Sequence, residues 1–189
     1  MGFSIRKEFS LCYGHRVHTQ VLDKPELSID TACKCRHLHG HEGLIEVRLS
    51  AEKLTPGGMV TDFKNLGWLK EFLDNNLDHK MIVDSKDPLA PMLLRDVPLD
   101  PVMVMRGPLA LSVGHAVNPA YFQFGPTMEN HYKELAGGLF FVPFVPTSEN
   151  FARWLFEIVK FKMLGVATVS SVVWWETPKS YAEYSEPLR

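Results

Sequence analysis

HGHEGLIEVRLS, residues 39–50, is the stretch from which the rest of the chain can be organised. Ile45, Val47 and Leu49 alternate with Glu46 and Arg48, which reads LIEVRLS (44–50) as a strand with one buried face. Side chains two apart on a strand share a face, so His39 and His41 would converge on one ligand while Gly40 keeps the other face clear. Two imidazoles do not complete a zinc site. Catalytic zinc takes three protein ligands and leaves a position for water or substrate. An earlier strand, FSIRKEFSL (3–11), would pair with LIEVRLS and bring its end close to His39, which makes His15 the third ligand expected. A lone histidine is ordinarily a surface residue. Three at neighbouring strand ends favour a metal site.

Downstream, TPGG (55–58) marks a turn, and Phe63, Leu66, Leu69, Phe72 and Leu73 recur at helical spacing. Thr61 or Asp62 is the expected cap, and Asn75 or Asn76 the expected end. A second helix opens at PTSEN, with Thr147 as cap and Phe151, Trp154, Leu155, Ile158 and Val159 as its apolar face. VATVSSVVWWE (166–176) reads as a third strand and SYAEY (180–184) as a short fourth. Between the helices, roughly residues 85–145 follow neither period and are rich in proline and methionine. That segment can hold one or two strands within DVPLDPVMVMRGPLALSV and a short helix at ENHYKELAGG, and its length argues for a place near a site or interface.

The chain has 189 residues, 46% hydrophobic and 22% charged, with a formal net charge of −2. These values suit one globular domain over 1–189 and give no electrostatic footprint for nucleic acid. No apolar stretch is long enough to span a bilayer, and MGFSIRKEFS lacks the apolar core of a secretory signal, so membrane association is not expected. Three cysteines, Cys12, Cys33 and Cys35, make an odd set that suits a reducing cytoplasm better than a disulfide framework. Cys33 and Cys35 stand beside the histidines as further ligands or as nucleophile or base. Asp78 next to His79 is either a helix-end turn or a carboxylate that orients an imidazole for proton transfer. Glu176, at the end of VVWWE, is either a solvated strand end or an acceptor for two parallel N–H groups of a ligand. His115 and His131 read as structural or surface residues, and Arg16, Lys34 and Arg36 as possible phosphate contacts by charge.

In order along the chain, FSLCYGHRV (9–17), CRHLHGH (35–41), GGMVTDFKNL (57–66), LDHK (77–80), PTSEN (146–150) and VVWWET (172–177) resemble the 6-pyruvoyltetrahydropterin synthase / 6-carboxytetrahydropterin synthase family. The resemblance covers nearly the whole chain outside 85–145. It implies an α+β T-fold: a four-stranded antiparallel sheet with two helices between strands two and three, here with a long insert between the helices. It also implies homo-oligomers, trimers or dimers of trimers, with active sites between subunits. Closing the sheets into a barrel removes their exposed edges.

The same resemblance implies Zn2+ on His15, His39 and His41, and a proton relay through Asp78 and His79. It implies a pterin ring anchored by Glu176, with Thr147, Ser148 and Glu149 also contacting it, and a cysteine as base. The implied substrate is 7,8-dihydroneopterin triphosphate. Two branches are distinguished by the cysteine spacing: four residues before the first histidine of HGH in the 6-carboxy enzyme of queuosine and 7-deazapurine synthesis, six in the 6-pyruvoyl enzyme of tetrahydrobiopterin synthesis. Cys35 satisfies the first spacing and Cys33 the second. The RHLHGH run after Cys35 favours the 6-carboxy branch, with the 6-pyruvoyl branch as alternative. A non-catalytic, zinc-stabilised pterin-binding oligomer is the alternative of another class.

Overall fold

A computed structural model describes residues 2–94, 97–118, 121 and 126–186. Its spine is β1 (Phe3–His15) paired antiparallel with β2 (His39–Ala51), in a register that sets Tyr13 opposite His41 and His15 opposite His39. Both strands run further toward the histidines than the alternation alone marked. On β1, Phe9, Leu11, Tyr13 and His15 are buried while Ser10 and Cys12 are exposed, so alternation sets one face of the sheet against the core.

After β2, Asp62 caps a single 3-10 turn, Phe63–Leu66, by accepting a hydrogen bond from the Lys64 amide at 2.8 Å. Helix α1 (Gly67–Asn76) follows and ends where expected. Thr61 is instead turned inward, and its hydroxyl accepts from the Asn65 side chain. Helix α4 (Ser148–Met163) has Thr147 as cap and buries Phe151, Leu155, Ile158 and Val159. Strands β7 (Thr168–Thr177) and β8 (Ser180–Tyr184) complete the four expected from the sequence, in the order β1-β2-β7-β8.

Among the described residues, however, the sheet has eight strands, not four, and it is not purely antiparallel. Its full order is β4-β5-β6-β3-β1-β2-β7-β8. Strand β3 (Lys80–Asp84) lies parallel to the end of β1 and to β6 (Leu139–Val142). The hairpin of β4 (Leu99–Arg106) and β5 (Leu109–Val117) extends the sheet beyond β6. Two further helices, α2 (Ala90–Leu94) and α3 (Met128–Gly137), stand between α1 and α4, so among the described residues four α-helices rather than two separate β2 from β7. The 85–145 segment thus contributes three strands, β4, β5 and β6, to the sheet.

It also shares the core. Val104, Val113, Phe140 and Val142 pack with β1, β2, β7 and α4, and the Trp154 indole N–H donates to the Val113 carbonyl at 2.9 Å. Val83, Leu139 and Phe141 face a second apolar cluster with Ala90, Val117 and Ala136. Strands β3 and β6 are therefore buried on both faces, as central parallel strands usually are.

Phe151, 0% exposed, stacks on Trp174 with ring centroids 4.4 Å apart and meets the edge of Tyr13. Truncating Phe151 to alanine should cost about 3–5 kcal/mol of stability through lost burial and the cavity left behind, read as a lower urea midpoint at unchanged slope.

Candidate metal and pterin site

β1, β2 and β7 bring four side chains to one end of the core-facing side of the sheet. The ligand atoms of His15, His39, His41 and Glu176 all lie within 4.8 Å of one another. Ring centroids are 4.5 Å apart for His15–His39, 4.9 Å for His39–His41 and 5.1 Å for His15–His41. The facing register of β1 and β2 produces this: His15 opposes His39, and His41 sits two residues further on the same face.

The rings are held from behind. His15 Nδ1 donates to the Pro146 carbonyl at 2.6 Å, and His39 Nδ1 donates to the His37 carbonyl at 2.8 Å. A carbonyl only accepts, so each Nδ1 carries a proton, which leaves Nε2 as the nitrogen free for the cluster. His15 Nε2 and His41 Nε2 are buried atoms without a hydrogen-bond partner. Burial is the main influence holding His41 below the usual imidazole range, which keeps it neutral as a ligand must be. Glu176 is held below the usual carboxyl range, chiefly by His15 beside it. Three imidazoles and a carboxylate, with the buried Nε2 atoms of His15 and His41 lacking a hydrogen-bond partner, fit a divalent cation of the zinc type.

Tyr13 supports the cluster from below. It contacts His15 and His41, and its hydroxyl accepts from the Trp174 indole at 2.9 Å. Burial pushes this phenol well above its ordinary range, so it remains neutral and serves as packing.

Asp78 and His79 form a tight turn docked on the edge of β1. Asp78 Oδ1 accepts from the Cys12 amide at 2.7 Å, and the His79 amide donates to the Cys12 carbonyl at 2.6 Å. His79 has φ of +58°, a left-handed conformation that costs a non-glycine residue about 1 kcal/mol or more. Its Nδ1 lies 2.8 Å from Asp78 Oδ2, while the ring is 79% exposed. The Cys12 amide, first, and His79 hold Asp78 below the usual carboxyl range, so the carboxylate orients the imidazole throughout neutral pH.

The family model for 6-pyruvoyl tetrahydropterin synthase matches residues 4–187. The chain belongs to this family. It is 30% identical to the 6-carboxy-5,6,7,8-tetrahydropterin synthase of Aquifex aeolicus over 98% of this chain and 99% of that one. The namesake from Haemophilus influenzae is 27% identical, over 97% and 99%. An uncharacterized protein of Wolinella succinogenes shares the architecture at a TM-score of 0.81, with 39% identity over 99% of each chain. The 6-pyruvoyl tetrahydropterin synthase of Caenorhabditis elegans, at 22% identity and a TM-score of 0.53, shares the fold.

Within this synthase family fold, the remaining motif residues divide. Thr147 is occupied as the α4 cap, accepting from the Asn150 amide. The Ser148 hydroxyl is a buried atom without a hydrogen-bond partner, and Glu149 is exposed on the first turn. A cavity of about 600 Å³ is lined by His41, Glu176, Thr177, Trp175 and the glycines 40 and 43. A Cβ on Gly43 would stand 2.8 Å from the Tyr13 ring and 3.2 Å from the Trp175 carbonyl, so only glycine fits there. A second hollow, about 560 Å³, is lined by His39, His41 and His79 together with Cys12.

Of the thiols, Cys12 points to the sheet face opposite Tyr13 and His15. Cys33 precedes a one-turn 3-10 segment, Lys34–Arg36, Cys35 lies within it, and the Cys35 carbonyl accepts from the Val17 amide at 2.7 Å. Two of the phosphate candidates are already paired: Arg16 with buried Asp87 at 2.9 Å, and Lys34 with Asp30 at 2.5 Å. Arg36 is exposed. The sequence reading missed the Pro146 and His37 carbonyls, because a backbone oxygen leaves no trace in residue type. It also missed Asp87, whose partner is distant along the chain. His115 and His131 are exposed and stand outside both hollows.

Proposed function

We propose that this protein is a zinc-dependent lyase that converts 7,8-dihydroneopterin triphosphate, with water, to 6-carboxy-5,6,7,8-tetrahydropterin, acetaldehyde and triphosphate. The observation that carries the reading is the meeting of His15, His39 and His41, their ligand atoms within 4.8 Å and the Nδ1 protons of His15 and His39 engaged by backbone carbonyls. The names of the full-length Aquifex and Haemophilus relatives support the 6-carboxy product. Zn2+ on the three histidines would act as a Lewis acid toward the substrate side chain. Cys35 takes a proton from a side-chain carbon, and a thiol does so only as thiolate. His79, oriented by Asp78, returns or relays protons. Glu176 accepts the paired N–H donors of the pterin ring, and Thr147, Ser148 and Glu149 form the second contact.

The main-chain edge of β1 from Phe3 to Leu11 and the outer edge of β8 have no strand neighbour among the described residues. Open edges of this kind support closure by copies of the same chain, as a trimer or a dimer of trimers, with sites between subunits. No described helix is long and apolar enough to cross a membrane, which suits action on a dissolved substrate in the cytoplasm.

A second reading, 6-pyruvoyltetrahydropterin synthase, ends after triphosphate elimination and draws on Cys33, six residues before His39. Incubating zinc-loaded protein with dihydroneopterin triphosphate and assaying acetaldehyde separates the two. Acetaldehyde in step with triphosphate supports the first reading, and triphosphate alone supports the second. Tight pterin binding without turnover refutes both.

Replacing His79 by alanine should lower turnover about 10²–10⁴-fold, the usual worth of a positioned acid–base group. Metal content should be unchanged, because His79 lies outside the ligand cluster. Loss of metal along with activity would contradict the relay role.

A further inference from the structure

Just beyond β1 lies a buried charge cluster that neither the metal ligands nor the pterin contacts use. Asp87, in the turn between β3 and α2, has a side chain that is 0% exposed. Its Oδ1 accepts from the Leu89 amide at 2.8 Å, and its own amide donates to the Asp84 carbonyl at 2.9 Å, so the turn fixes the carboxylate. Its Oδ2 forms an ion pair with Arg16 Nε at 2.9 Å and lies 3.7 Å from His18 Nδ1. One buried oxygen thus gathers the two side chains that flank Val17. The Val17 amide in turn donates to the Cys35 carbonyl at 2.7 Å. The other backbone bonds of the cysteine turn, from Lys34 to Ala32, Arg36 to Cys33 and His37 to Lys34, are local.

We propose that Asp87 is a positioning residue for the reaction: through Arg16 and His18 it fixes Val17, and through Val17 it fixes the turn that carries Cys35. This rests on the reading of Cys35 as the base. A buried carboxylate and a largely buried guanidinium hold each other, because neither can be left bare away from water. A connection beyond a strand end is ordinarily mobile. Here the charge requirement removes that freedom from residues 16–18, and the Val17 bond passes the restraint to Cys35. A catalytic group displaced by about 1 Å can lose about 10²-fold in rate. The start of the 85–145 segment, which the family motifs leave uncovered, thereby acquires a role at the site.

The test uses zinc-loaded, full-length protein. Asp87→Asn keeps the volume and the acceptor for the Leu89 amide, and removes the charge that faces Arg16. Hydrogen exchange at the Val17 amide should be at least about 10-fold faster in this variant. Val47, in the ladder of β2, should keep its rate. The kcat should fall about 10–10²-fold with KM little changed, as when a group is misplaced for the chemical step alone. Bound zinc should be unchanged. Arg16→Gln removes the other charge and should act alike, whereas Arg16→Lys keeps it and should lose far less; this pair decides if Asp87→Asn does not fold. Wild-type exchange at Val17 in the charge-removing variants, or equal acceleration at Val17 and Val47, overturns the tie. Faster exchange at Val17 with unchanged kcat overturns the positioning role. Loss of zinc would assign the cluster to His15 instead and overturns it as well. Full activity in Cys35→Ala removes the base reading and the positioning role together, while exchange at Val17 still shows whether Asp87 holds the turn.

Discussion

Replacing His39 by alanine should reduce bound zinc from about one per chain to none and abolish turnover. His39 is the ligand to choose, because it begins β2 and is only half-buried, whereas His15 is 1% exposed and its loss would disturb the core around Tyr13 and Phe151. A Lewis acid of this kind contributes several kcal/mol to a transition state, which corresponds to a loss of about 10³-fold or more. Stability supplies an independent measure. Zinc at 100 times its dissociation constant should stabilise the wild type by about 2.7 kcal/mol, raising the melting temperature by about 5–10 °C for a chain of this size. Chelation should reverse the gain, and His39→Ala should show none. Metal analysis and a melting curve with and without zinc check both. A variant that still melts higher with zinc would refute the three-histidine assignment.

Replacing Cys35 by alanine should lower turnover by about 10²–10⁴-fold or more, as loss of a positioned base does, while zinc remains bound. The expectation rests on how the two neighbouring cysteines are held. The Cys35 carbonyl is bonded to the Val17 amide, which ties its turn to the chain two residues beyond His15. Cys33 precedes that turn; its carbonyl accepts from the Arg36 amide at 3.1 Å, a bond local to the turn itself, and its side chain makes no capping bond. A base must be held in place to act, and small displacements cost heavily. Cys33→Ala should therefore retain most activity. So should Cys12→Ala, because Cys12 holds Asp78 and His79 through its backbone amide and carbonyl, which alanine keeps. The comparison needs turnover and metal content for all three variants. Full activity in Cys35→Ala with loss in Cys33→Ala would transfer the base to Cys33 and favour the 6-pyruvoyl product.

Much of the frame was legible along the chain. Strands β1 and β2 bury mainly one face, and that imprints a two-residue alternation. Helices α1 and α4 announce themselves by apolar spacing and by the caps Asp62 and Thr147. Strands β3 and β6 left no such mark. KMIVD and LFFV are short and nearly or wholly apolar, since Ile82 and Phe140 face one core while Val83 and Phe141 face the other. A strand covered on both sides has no reason to alternate, and the count of four strands followed from that.

The site divides in the same way. The residues at 15, 39, 41, 78, 79 and 176 were recognisable by type and order, because only imidazoles, thiols and carboxylates can hold a metal or move a proton here. Residue types alone leave their distances open. Pairing β1 with β2 puts His15 opposite His39, and β7 delivers Glu176 to the same end. A non-glycine turn at φ +58° turns His79 outward, and two backbone carbonyls select the ring nitrogen that faces the cluster. Donor chemistry is a property of single residues and can be read from the sequence. Convergence depends on register and on backbone groups that every residue possesses alike, so only the folded chain decides it.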